Sequence, residues 1–109
     1  MDIATEKHTQ AAKLSVHPPH GIPLKMMEEY LSRCKNSAGD LNAILERGEF
    51  AAVRVFGHRL NGSGGTYGIT RLSEIGSMIE TAAREQDLIQ LRSLVGALDS
   101  YLRLLEVVA

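Results

Sequence analysis

The sequence predicts an all-α fold, an antiparallel up-down-up-down four-helix bundle, and three observations predict it. Apolar residues recur at helical spacing in several separate segments, no segment sustains the period-two alternation of a strand, and the joints between segments are short. Short joints force consecutive helices to run antiparallel. With 109 residues, 44% of them hydrophobic, the chain holds enough apolar material for one packed domain.

Residues 1–22 read as a flexible tail, because they carry His8, His17 and His20, the adjacent Pro18 and Pro19, and few large apolar side chains. Pro23 suits the first helical position, so the bundle is placed at 23–109. Its first helix is drawn by Leu24, Met27, Leu31, Cys34, Ala38, Leu41 and Leu45, alternately three and four apart, with Gly39 as a possible interruption and Gly48 as the stop. A second segment runs from Glu49 to about Gly65. The third helix is marked by Ile69, Leu72, Ile75, Gly76, Ile79 and Ala83 and ends near Arg84. The fourth repeats the stripe of the first with Leu88, Leu91, Val95, Leu98, Leu102 and Leu105, and Asp87 stands as its N-cap.

Charge and cysteine content narrow the function classes. Thirteen acidic residues against twelve Lys plus Arg leave a net charge of -1, so no broad attraction to nucleic acid or anionic lipid is implied. The single cysteine, Cys34, excludes an internal disulfide and paired-cysteine zinc sites, and a cytoplasmic setting is expected. No apolar run approaches membrane-spanning length, and Met1 to Gln10 lack the apolar stretch of a secretion signal. The tail histidines make no metal site, since the prolines between His17 and His20 prevent helical pairing of ligands. Cys34 reads as a buried, unreactive thiol, and Met26 and Met27 as core filler.

The second segment departs from ordinary helix composition. On a helical wheel centred on His58, the residues Ala52, Val53, Phe56, Leu60 and Ser63 fall at about 120° to 220°, so the imidazole faces water. Ala51, Arg54, Val55, Asn61, Gly62 and Gly65 stand within about 60° of it. Gly62, Gly64 and Gly65 cost a helix roughly 1 kcal/mol each against alanine. Either Asn61-Gly62-Ser63-Gly64-Gly65 is a loop after a shorter helix, or the glycines strip the surface beside His58 so that another protein can approach.

The run His58-Arg59-Leu60-Asn61-Gly62-Ser63, with Gly68 and Leu72 downstream, resembles the signature of histidine-containing phosphotransfer (HPt) domains, usually written H-x-L-K-G-[SA]. The resemblance covers residues 23–107 and places the signature on the second of four helices. It implies a phosphorelay carrier whose histidine takes a phosphoryl group from a receiver-domain aspartyl phosphate and passes it on. His58 corresponds to the phosphoacceptor, and imidazole suits the role because it is neutral and nucleophilic near neutral pH. Glu80 stands where the family often carries a group that orients the ring through its far nitrogen; an i,i+4 pair with Arg84 is the competing role.

Asn61 departs from the family's lysine and brings no charge, so Arg54, and more weakly Arg84, are candidates to supply it. Gly62 and Gly65 correspond to clearance for a partner, and Ala51, Val55 and Ile69 to an apolar rim for docking. Gly68 serves the turn, and Ser63 lies on the inner face. The implied partners are response-regulator receiver domains or a hybrid sensor histidine kinase. No cofactor is expected on this chain, the Mg²⁺ of aspartyl-phosphate chemistry belonging to the receiver. A monomer is the simplest state, because every helix buries its apolar face within one bundle. A degenerate adaptor that docks a receiver without taking phosphate is the alternative, and a segment of a larger chemotaxis-type kinase is a third.

Overall fold

Four amphipathic stripes become the inner faces of four helices. The computed structural model describes residues 13–109. In chain order these form β1 (Leu14–Val16), α1 (Leu24–Glu46), α2 (Phe50–Thr66), α3 (Thr70–Arg84), α4 (Leu88–Leu104) and β2 (Leu105–Val107). The helices make the antiparallel bundle that the spacing predicts. Met27, Leu41, Leu45, Leu72, Ile75, Ile79, Leu91, Leu98 and Leu102 are its most deeply buried large side chains.

Helix α1 runs 23 residues without a break at Gly39. Leu24 and Met26 lie at the exposed start of the helix, so neither is core, whereas Met27 is fully buried and Tyr30 joins the stripe. Cys34 is buried, and its desolvation pushes the thiol pKa up, away from reactivity. Gly48 turns the chain at φ +75°, a conformation open to glycine, and the turn between α2 and α3 uses Gly68 at φ +72° in the same way. Asp87 caps α4 as its position predicts, its side chain accepting from the Gln90 N–H at 3.1 Å.

Helix α2 differs from its predicted orientation. The segment Asn61 to Gly65 is helical and not a loop. Its buried residues are Val53, Gly57, Leu60 and Gly64, whereas Ala52 is exposed and Phe56 and Ser63 are half-buried. The reason lies in backbone contact between helices. A Cβ on Gly57 would meet the Glu80 nitrogen at 2.6 Å and the Gly76 oxygen at 2.7 Å, and one on Gly64 would meet the Ser73 nitrogen at 2.6 Å. A Cβ on Gly76 would reach the Asn61 nitrogen at 2.5 Å. The three glycines draw α2 hard against α3, and α2 packs only lightly on α1.

Part of the predicted tail is structured. β1 pairs in parallel with β2, Leu14 opposite Leu105 and Val16 opposite Val107, and the Val108 N–H donates to the Val16 carbonyl at 2.9 Å. The flexible-tail reading therefore fails for the strand at 14–16, while residues 1–12, His8 among them, lie outside the described residues. Both strands span three residues, too short for alternation to register, and Leu105 also continues the helical stripe of α4.

Tyr30 sits between α1 and α2, its ring stacked on Tyr67 at 3.9 Å and its hydroxyl 2.7 Å from the Ser63 Oγ. Burial raises its pKa well above the usual phenol value. The folded state thus favours the neutral phenol, and this contribution is complete below about pH 10 and lost as pH rises further, because the unfolded chain ionises first. Thermal melts between about pH 9 and 12 should show a falling midpoint, with a shallower fall in Tyr30→Phe.

Candidate functional site

His58 lies on the outer face of α2, its side chain 71% exposed. From α3, the half-buried Glu80 carboxylate reaches up to it: Nδ1 and Oε2 are 3.1 Å apart. The Nδ1–H donates to the carboxylate, and that fixes the tautomer, leaving the Nε2 lone pair pointed at solvent. The same Oε2 accepts from the Arg84 guanidinium at 3.4 Å. The two contacts that the sequence set in competition for Glu80 are both made. Arg84 is held at Glu80, a position from which it steadies the carboxylate.

This geometry follows from the helix contact beneath it. Gly57 immediately precedes His58, and its missing side chain is what lets the Glu80 backbone approach. A larger residue there would move the carboxylate away from the ring.

Asn61 lies one turn after His58 but turns toward α3, where the Ser73 hydroxyl hydrogen-bonds its side-chain and backbone oxygens. Arg54, one turn before His58, is half-buried and makes no ion pair among the described residues. Around α2 it stands about 40° from His58, against about 100° for Arg59. Ala51, Val55, Gly62 and Gly65 are exposed around the imidazole as the wheel predicts. Ile69 is not: it is 3% exposed and belongs to the core, because the chain re-enters the bundle immediately after the Gly68 turn. The apolar rim is therefore Ala51 and Val55 alone.

The α2 glycines fall into two classes. Gly57 and Gly64 are required by packing, whereas a Cβ on Gly62 or Gly65 would meet nothing among the described residues within 4 Å. Gly39 and Gly96 are equally open on other helices, so openness alone does not mark a site; Gly62 and Gly65 stand apart because they share the face of His58. Sequence reading grouped Gly64 with the surface glycines and passed over Gly57. The i, i+7 spacing of Gly57 and Gly64, on the side facing Gly76, was the available signal. Among the described residues no three His, Cys, Asp or Glu cluster as metal ligands, and no helix is long and apolar enough to cross a membrane.

Two measurements check this site. Gly62→Ala should stabilise the fold by up to about 1 kcal/mol, some 4–8 °C in melting midpoint, whereas Gly57→Ala should cost about 1–3 kcal/mol or more. In Glu80→Ala, ¹⁵N spectra of the His58 ring should show the proton redistributing from Nδ1 toward Nε2, the commoner tautomer of a free imidazole, with the fold retained.

No curated protein and no solved structure gives a significant match to the chain. The Hpt domain family model matches residues 25–107, which takes in the exposed histidine with its carboxylate and all four helices save Leu24. With most of its length and nearly the whole of its bundle inside that match, the chain belongs to the Hpt domain family, the histidine phosphotransfer modules of two-component systems.

Proposed function

We propose that His58 carries the phosphoryl group. The Nε2 lone pair attacks the phosphorus of a receiver's aspartyl phosphate, an N–P bond forms, the P–O bond to the aspartate breaks, and the aspartate leaves as carboxylate. Nδ1 keeps its proton throughout, and the positive charge that develops on the ring is met by Glu80. Transfer onward to a second receiver is the reverse sequence. Phosphoryl transfer depends mainly on positioning and charge stabilisation, so a ring held at one nitrogen and bare at the other is most of what the carrier must supply. The single observation that carries the reading is the 3.1 Å contact of an exposed His58 with a half-buried Glu80.

Arg54 is proposed to meet the phosphoryl oxygens in place of the family's lysine, since Asn61 is tied to Ser73. Arg84 would act indirectly, by positioning Glu80. Ala51, Val55, Gly62 and Gly65 would form the surface on which the receiver, or the receiver domain of a hybrid kinase, settles. The chain would need no cofactor of its own, with Mg²⁺ brought by the receiver, and would work as a cytoplasmic monomer. Asn61 favours the second reading, an adaptor that docks a receiver without taking phosphate.

Incubation with a panel of phosphorylated receivers separates the two. The relay reading expects acid-labile phosphate on the wild-type chain and none on His58→Gln; a docked but unlabelled wild type would establish the adaptor. Arg54→Ala should slow transfer about three- to tenfold, the scale of one charge-assisted contact near the surface. Gly62→Leu should abolish docking while the melting midpoint holds or rises.

A further inference from the structure

A groove of about 630 Å³ opens between α1 and α2, where α2 has been drawn away toward α3. Its floor holds Tyr30, Phe56 and Tyr67, and its lining includes Val55, Arg33 and Arg59. Val55 is 37% exposed and stands between the groove and His58 on the helix surface, so the groove and the histidine form one continuous face.

The arginines are distributed unevenly over the molecule. Of eight in the chain, Arg47, Arg71, Arg84, Arg92 and Arg103 each bridge a carboxylate. The other three are Arg33, Arg54 and Arg59, none of which has a bridge among the described residues. Glu29 stands one turn before Arg33 and still makes no bridge to it. Two of the three line the groove, and the third is on the face of His58. Among the described residues no carboxylate lines the groove. A chain of net charge -1 thus keeps the guanidinium groups that have no bridge among the described residues on the groove and on the face of His58.

We propose that this groove selects the receiver: it accepts a bulky apolar side chain of the receiver's docking surface, and Arg33 and Arg59 pair with carboxylates that flank that side chain. The proposal rests on the phosphotransfer reading and adds to it the two residues that choose among receivers. The chemistry at Nε2 is untouched by either arginine. Their contribution falls on encounter and residence, as expected of charges at the edge of an interface.

The test uses the full chain and a receiver that charges His58 in the panel. Arg33→Glu with Arg59→Glu should raise Kd and the KM for phosphorylated receiver at least about tenfold, with transfer at saturating receiver unchanged. A control of equal charge change on other surfaces, Lys25→Glu with Arg103→Glu, should stay within about twofold of wild type. Replacing a receiver carboxylate beside its docking apolar residue by lysine should restore binding to the Arg33→Glu, Arg59→Glu chain. Circular dichroism of that variant checks that the helices persist; if they are lost, Arg33→Gln with Arg59→Gln is used, expected to raise Kd about threefold or more. The proposal is overturned if the double variant and the control bind alike, or if transfer at saturation falls while KM holds. If no receiver charges wild-type His58, the phosphotransfer reading itself fails and takes the proposal with it, a result distinct from charging that ignores the two arginines.

Discussion

The site depends on the distance between two backbones. Gly57, Gly64 and Gly76 leave no side chain between α2 and α3, and the helices close until backbone atoms of one touch the glycines of the other. Side-chain packing would have set these helices farther apart, since ordinary helix pairs sit about 8–10 Å between axes according to the residues at the contact. A glutamate on α3 can then reach an imidazole on the solvent face of α2 without a long or strained side chain. The hydrogen bond at His58 is thus a consequence of where the fold has no side chains.

The same closeness explains the asymmetry of the bundle. A helix of 17 residues cannot be pressed on one neighbour without easing from another. Helix α2 yields on the α1 side, where the stacked Tyr30 and Tyr67 and the half-buried Phe56 span the gap that smaller residues would leave open. The Tyr30 hydroxyl is satisfied by Ser63, so the widened seam holds no buried side-chain polar atom without a partner among the described residues. A close contact on one flank and an open cleft on the other are two sides of one packing decision.

Much of this was legible in the sequence. Helices α1, α3 and α4 follow from apolar spacing, because each has one neighbour-facing stripe of large residues and a recognisable end, Asp87 being the clearest. The exposure of His58 followed from the wheel, and the pairing with Glu80 from family resemblance. The orientation of α2 was harder to read. Hydropathy assigns its inner face to Val53, Phe56 and Leu60, and gives no weight to Gly57 and Gly64, whose effect comes from absent volume. Ile69 was misplaced because the rim follows from the family analogy, whereas the residue stands three before Leu72 in the apolar stripe of α3, and the core takes it. The parallel strand pair joins segments at opposite ends of the described chain, and no local pattern records such a pairing.

That strand pair bears on the order in which the molecule assembles. Leu14 and Leu105 are separated by about ninety residues, farther apart in the chain than the helix-to-helix contacts, of which those between α1 and α4 span the most sequence. Closing so long a loop is entropically unfavourable until the bundle has already brought its ends together. Two three-residue strands add little cohesion of their own. β1 is therefore the last element to dock and the first to peel away, while Leu105 stays in the stripe of α4 and the helices that present the histidine keep their mutual contacts.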